Sequence, residues 1–351
     1  MARKIRTLVV DDSALMRMLI PSMLQRSPHI EVVGAASNPF AAREMIKELN
    51  PDVITLDVEM PKMDGISFLH KIMTLRPTPV VMVSSLTQKG ADVTLKALEL
   101  GAIDFIGKPT LDLEKNMPLL ADELIEKVRA AAVSKVRSHT RKVEVKAAAP
   151  VSFDTTEALV ALGASTGGVE TLGRLLGALP PNAPGIVIAQ HMPAQFTKQF
   201  AERINKHCAV QVAEAEQGQR IRPGTAWIAP GDRHLEVRRS GADYVCRLTE
   251  EPPVSGHRPS VDVLFNSVAK ACGAQAIGVI LTGMGRDGAD GLKTMRDAGC
   301  RTIGQDEATS LVYGMPKAAF DAGAVETQLP EDKIPSVILR IVSESGGVLR
   351  I

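Results

Sequence analysis

A chain of 351 residues is longer than one ordinary core requires, so length alone points to two globular domains. With 45% hydrophobic and 23% charged residues and a formal net charge of +1, it is neither a disordered tail nor a polybasic nucleic-acid binder. No apolar run approaches the ~18 residues of a membrane span, so membrane insertion is not expected.

The opening MARKIRTLVVDDS lacks the apolar stretch and small-residue cleavage site of a secretory signal. From residue 5 the chain alternates. Strand-like runs IRTLVV (5–10), VVGAAS (32–37), VITLDV (53–58), PVVMVS (79–84) and DFIGK (104–108) are separated by helical stretches such as ALMRMLIPSMLQRS (14–27), PFAAREMIKELN (39–50) and VTLKALELG (93–101). Alternation at this pitch predicts a doubly wound parallel sheet with helices on both faces. Function in such sheets gathers at the carboxyl ends of the strands, where Asp11, Asp12, Asp57, Ser84 and Lys108 fall. Singly, each reads more simply as a solvated loop acid or a surface lysine. Five of them at consecutive strand ends do not.

Their chemistry is complementary. Three clustered carboxylates repel, and a hard divalent cation with oxygen ligands, Mg²⁺, relieves that repulsion. Asp57 could attack a phosphoryl group as a carboxylate nucleophile. Lys108 could offset charge on the phosphoryl oxygens, and the Ser84 hydroxyl could donate to one of them. As a set, VVDDS (9–13), LDVEMPKMDG (56–65), VVMVSS (80–85) and FIGKP (105–109) resemble the flavodoxin-like receiver domain of bacterial response regulators. The resemblance implies that Asp57 is phosphorylated, that Asp11 and Asp12 help Asp57 hold the metal, and that Ser84, Phe105 and Lys108 are switch residues. It also matches Pro109 to a proline whose preceding bond is often cis. Pro61 and Gly65 have a local explanation as turn formers.

Residues 134–152 show no amphipathic period, and they hold five Lys/Arg against one Glu plus an Ala/Pro stretch. They read as an exposed linker. The expected division is a receiver over 1–125, a terminal helix and linker over 126–152, and a second α/β domain over 153–351. The part after the linker carries 20 basic and 22 acidic residues, which argues against nucleic acid as a partner.

In that second part ALVALGAS (158–165), GIVIAQH (185–191) and AIGVILTG (276–283) read as buried parallel strands, each followed by a Gly-rich turn. Gly163-Ala164-Ser165-Thr166-Gly167 is a GxSxG match, weak alone because Gly-rich strand-to-helix turns also serve packing and anion binding. His191 ends its strand run and Asp287 lies just beyond another. If these strands are parallel neighbours, Ser165 as nucleophile, His191 as general base and Asp287 as orienter meet at one edge. Backbone amides at the helix starting near Thr166 would then face an oxyanion. The order Ser, His, Asp differs from the α/β-hydrolase order, so the motif does not imply that fold.

Rivals are weaker. His29, His70, His139 and His207 lie in helical, linker or surface contexts, and His234 in a strand context favours a structural role. His257 in a polar loop could touch substrate. Asp262, Asp290 and Asp306 are less well placed at strand ends. Trp227 and the scattered methionines read as core. Cys208, Cys246, Cys272 and Cys300 have no CxxC or metal-like spacing and read as reduced thiols of a cytoplasmic protein.

GASTGG, AQHMP, APGDRH, HRPSVD and LTGMGRDGADG resemble the catalytic domain of chemotaxis protein-glutamate methylesterases, and receiver, linker and this domain match that family along nearly the full chain. The resemblance implies a hydrolase that needs no cofactor. It would demethylate glutamate methyl esters and deamidate particular glutamines on methyl-accepting chemotaxis receptors, with a chemotaxis histidine kinase as phosphodonor and recruitment to receptor clusters. Ser165, His191 and Asp287 match its triad, and Thr166 and Met284 its oxyanion amides. The receiver is expected to restrict access until Asp57 is phosphorylated. A transcription regulator and a non-catalytic receptor adaptor are the alternatives. The slightly acidic second part counts against the first and the Ser/His/Asp placement against the second.

Overall fold

The computed structural model describes residues 3–61, 63–85, 87–108, 113–134 and 158–346. The chain divides into two compact units, one within residues 1–142 and one within 143–351. Pro109, His139 and the linker core lie outside the described residues.

The first unit alternates β1 (Ile5–Val10), α1 (Ala14–Leu24), β2 (Ile30–Ala36), α2 (Pro39–Leu49), β3 (Val53–Asp57), α3 (Gly65–Leu75), β4 (Val80–Ser84), α4 (Gln88–Glu99), β5 (Asp104–Gly107) and α5 (Leu113–Val133). The strands lie parallel in the order β2-β1-β3-β4-β5. Helices start where the sequence supplies side-chain acceptors. Ser13, Asn38, Asp64 and Thr87 each cap a free backbone N–H, typically stabilising by ~1 kcal/mol. β3 and β4 are buried along their whole length, so they read as continuous apolar runs and not as alternation. α5 runs as one helix across residue 125, with Leu124, Val128 and Ala131 buried, so this unit continues to Val133.

The second unit begins with β6 (Leu159–Ala164), α6 (Gly168–Gly177), β7 (Gly185–Gln190) and α7 (Ala194–Asn205). Short strands follow: β8 (Gln211–Glu214), β9 (Arg220–Ile221), β10 (Thr225–Ile228), β11 (His234–Ser240) and β12 (Asp243–Thr249). Then come α8 (Val261–Cys272), β13 (Ala276–Ile280), α9 (Ala289–Asp297), β14 (Arg301–Gln305), α10 (Met315–Asp321), β15 (Thr327–Leu329) and α11 (Ile334–Gly346). Seven strands form a parallel sheet in the order β15-β14-β13-β6-β7-β10-β8, and β11-β12-β9 form a small antiparallel sheet. The five- and seven-stranded parallel sheets agree with the doubly wound reading. The antiparallel sheet and most of β8–β12, β14 and β15 were not anticipated, because these strands are short and mix charge with apolar residues.

The central strands β6, β7 and β13 are fully buried. α8 covers them with Val261, Leu264, Phe265 and Val268, and Trp227 joins this core while its indole N–H donates to Arg220 O. Burying each such side chain typically contributes about 1.5–3 kcal/mol. In register, Ile280, Gly163 and Ala189 lie side by side, so the three strands end flush. Chain direction across the sheet reverses between β6 and β13, and in the first sheet between β1 and β3. Such switch points open crevices at the carboxyl edge.

Candidate active site and phospho-acceptor cluster

At the β1/β3 switch point Asp11 follows β1 and Asp57 ends β3, both buried, while Asp12 is exposed. One carboxylate oxygen from each of the three lies within 4.8 Å of the others. Lys108, just past β5, places its ammonium 2.8 Å from Asp57 Oδ2 and 3.4 Å from Asp11 Oδ2. Apart from that ammonium, neither oxygen has a hydrogen-bond donor. Burial pushes the Asp57 carboxyl up to about 6, against the pull of Lys108, and raises Asp11 as well. Two buried carboxylate oxygens short of donors, with a third carboxylate at the rim, fit a hard divalent cation. Ser84 is buried at the end of β4, where its Oγ accepts from Thr94 Oγ1 at 2.7 Å. Phe105 is buried on β5, with the Lys127 ammonium 5.1 Å from its ring centre.

At the β6/β13 switch point Ser165 follows β6, His191 follows β7 and Asp287 lies in the loop after β13. The ladder carries past the strand ends: Ser165 N–H donates to Thr282 O, Leu281 N–H to Gly163 O and His191 N–H to Ala164 O. His191 Nε2 lies 2.7 Å from Asp287 Oδ2. Asp287 also accepts from Ser260 Oγ at 2.8 Å, Val261 N–H at 2.7 Å and Asp262 N–H at 3.1 Å. Val261 and Asp262 open α8, so the positive end of that helix faces the carboxylate. Burial alone would raise Asp287, but the bond to His191 and these donors outweigh it and hold the carboxyl at about 2.

An ionised Asp287 accepts a proton-bearing Nε2, which leaves Nδ1 with its lone pair. Nδ1 is buried and has no hydrogen-bond partner. With Nε2 engaged by Asp287 and Nδ1 unpartnered, neither ring nitrogen of His191 is hydrogen-bonded to Ser165 Oγ, a bond that in many hydrolases tightens only in the substrate complex. The Gly283–Met284 segment passes beside the serine: a Cβ at Gly283 would sit 2.8 Å from Ser165 Cβ. Thr166 is buried one residue before Gly167, the N-cap of α6.

Two features escaped sequence reasoning, and the structural role expected of His234 takes a definite form. The His257 ring stacks on His191, centroids 3.7 Å apart at 15°. His234, fully buried, accepts from Ser260 N–H through Nδ1 and so steadies the residue whose hydroxyl holds Asp287. Gln190 binds the backbone carbonyls of both Ser165 and His191. Only APGDRH and HRPSVD, polar motifs between strands, hinted at the two histidines.

Fold and sites together define a class, a receiver joined to an α/β unit of esterase type. The family profile described as CheB methylesterase matches residues 160–338, and that of the response regulator receiver domain matches residues 7–117. The protein-glutamate methylesterase/protein-glutamine glutaminase of Chromohalobacter salexigens is 50% identical over 352 residues, 100% of this chain and 99% of its own. That of Salmonella typhimurium is 50% identical over 348 residues, 99% of each chain. The crystal structure of the Thermotoga maritima CheB methylesterase catalytic domain aligns with a TM-score of 0.52 at 36% identity, covering 53% of this chain and all of that one. The chain belongs to the CheB methylesterase family, in the form that carries an N-terminal receiver domain. No described helix is long and apolar enough to cross a membrane.

Proposed function

We propose that this protein is a phosphorylation-activated serine hydrolase of bacterial chemotaxis. It removes methyl groups from glutamate methyl esters on methyl-accepting receptors and deamidates specific receptor glutamines. The observation that supports this most is the 2.7 Å contact of His191 Nε2 with Asp287, one strand from Ser165. Full-length likeness to relatives of that name supports the substrate class.

Ser165 is the nucleophile. As its Oγ attacks the ester carbonyl carbon, His191 Nδ1 takes the hydroxyl proton. The two ring nitrogens are used in the opposite sense to the chymotrypsin template. Asp287 holds the ring and offsets the imidazolium charge. The carbonyl oxygen becomes an oxyanion met by the amides of Thr166 and Met284. The C–O bond to the methoxy group breaks, and methanol leaves with the proton from His191. Water, deprotonated by the same nitrogen, then releases glutamate and restores Ser165. With glutamine as substrate, ammonia leaves in place of methanol. The hydrolase itself uses no cofactor.

In the receiver Asp57 takes a phosphoryl group from a chemotaxis histidine kinase. Asp11, Asp12 and Asp57 would hold Mg²⁺, which would offset phosphoryl charge when bound. Lys108 and Ser84 engage the phosphoryl oxygens, and Phe105 shifts with them. The receiver spans 1–133 with α5 as its last helix, in place of an end at 125, the linker follows over 134–152, and the catalytic domain spans 153–351. The protein works in the cytoplasm, recruited to receptor clusters.

The test is methanol release from methylated receptor, with and without a small-molecule phosphodonor and Mg²⁺. Release that rises with phosphodonor is expected. No release refutes the hydrolase, and equal rates refute the switch. A fragment beginning near Ser152, folded by circular dichroism, should outpace the unphosphorylated full chain if the receiver restrains the hydrolase. A slower fragment means the receiver contributes a positive element.

A further inference from the structure

Gln190 ends β7 immediately before His191, and its side chain is buried. Its Nε2 donates to two backbone carbonyls, Ser165 O at 3.0 Å and His191 O at 3.2 Å. Its Oε1 is buried without a partner. Turning the amide over would set Oε1 against two carbonyl oxygens, so the orientation is fixed by its neighbours. A half-satisfied buried amide is unfavourable, and its presence calls for a reason.

The reason lies in the peptide that joins Ser165 to Thr166. Its carbonyl accepts from Gln190 and also from Gly168 N–H at 2.8 Å. In a trans peptide the C=O and N–H point in opposite directions. Two donors on the Ser165 carbonyl therefore fix where the Thr166 N–H points, and they polarise it. The second Nε2 hydrogen holds the backbone of His191. One amide thus refers the oxyanion donor and the base to each other.

We propose that Gln190 is the positioning residue of this site: it aims the Thr166 N–H at the developing oxyanion and sets its spacing from His191. This rests on the roles of Ser165, His191 and Thr166 given above. Gly168 belongs to the same device. A Cβ there would sit 2.0 Å from Gln190 Oε1, so the last glycine of GASTGG makes room for the amide.

The alignment matters only as the oxygen gains charge, so its loss lowers kcat and leaves KM unchanged. The test uses the full chain on methylated receptor with phosphodonor. Gln190→Met keeps side-chain length and removes the donor. Its kcat per folded site should fall about 10- to 100-fold, less than the ~10²–10³ of an outright lost oxyanion donor. KM should stay within about twofold, and affinity for a trifluoromethyl ketone analogue of the glutamate side chain should fall with kcat. Gly168→Ala, which displaces the amide from the other side, should give the same pattern and decides the matter if Gln190→Met does not fold. Parental kcat per folded site in the variants, or a raised KM with kcat unchanged, overturns the proposal. Ser165→Ala run in parallel separates the cases. If it is inactive while the variants match the parent, only the role of Gln190 fails, whereas an active Ser165→Ala removes the underlying reading and this proposal with it.

Discussion

Asp57 and Asp287 stand at the switch points of two parallel sheets, at 1% and 2% exposure, and their carboxyls move in opposite directions. Asp57 is pushed up to about 6, Asp287 down to about 2. Burial is the same, so it does not decide the difference. Asp287 is surrounded by donors: Ser260 Oγ, two amides at the start of α8, and His191. Asp57 has one backbone donor, Glu59 N–H at 3.2 Å, and shares the Lys108 ammonium with Asp11. A buried carboxylate rich in donors is fixed and inert, suited to holding a histidine. One poor in donors, beside like charge, is suited to taking on a cation and a phosphoryl group.

The hydrolase side breaks first and hardest. Ser165→Ala should lower methanol release by about 10⁴-fold or more while Asp57 remains phosphorylatable. Near-normal release would remove the nucleophile from the scheme. Asp287→Asn should cost about 10³–10⁴ in kcat and leave a measurable residue, because an amide cannot accept from all four donors or offset the imidazolium. A loss under about tenfold would mean that the donor-rich carboxylate is only a helix cap.

The receiver side breaks differently. Asp57→Asn should keep the basal rate and lose all stimulation by phosphodonor with Mg²⁺, since the amide cannot form an acyl phosphate. Persisting stimulation would place the acceptor elsewhere.

The smallest effect sharpens the comparison most. Because the folded state raises Asp57, its contribution to stability is fully present below the ordinary 3.8 and lost as pH rises through about 6. In metal-free buffer near neutrality Asp57→Asn should therefore stabilise its unit, by about 1–3 kcal/mol, and Mg²⁺ should narrow the gain. Asp287 is depressed, so its contribution is present above 3.8 and lost as pH falls through about 2. Asp287→Asn should destabilise near neutrality by about 1–3 kcal/mol. Urea titrations of the two variants check the signs, and equal signs would abolish the contrast.

Much of this protein was legible in its amino-acid order. Continuous apolar runs such as VITL and LVALGA mark strands buried on both faces, and the polar residue ending each run sits at the functional edge. Both facts are local, carried by side-chain type and spacing of two or three residues. Tertiary structure alone decided what depends on partners far apart in the chain. β13 lies beside β6 across more than a hundred residues, bringing Asp287 to the edge that holds Ser165. The start of α8 meets Asp287, His257 stacks on His191, and Gln190 spans two carbonyls. Which nitrogen of His191 faces the carboxylate, and whether a buried aspartate is raised or lowered, follow from those contacts. A sequence names the groups, but hydrogen-bond geometry and local field arise only when packing sets distances of about 3 Å between them.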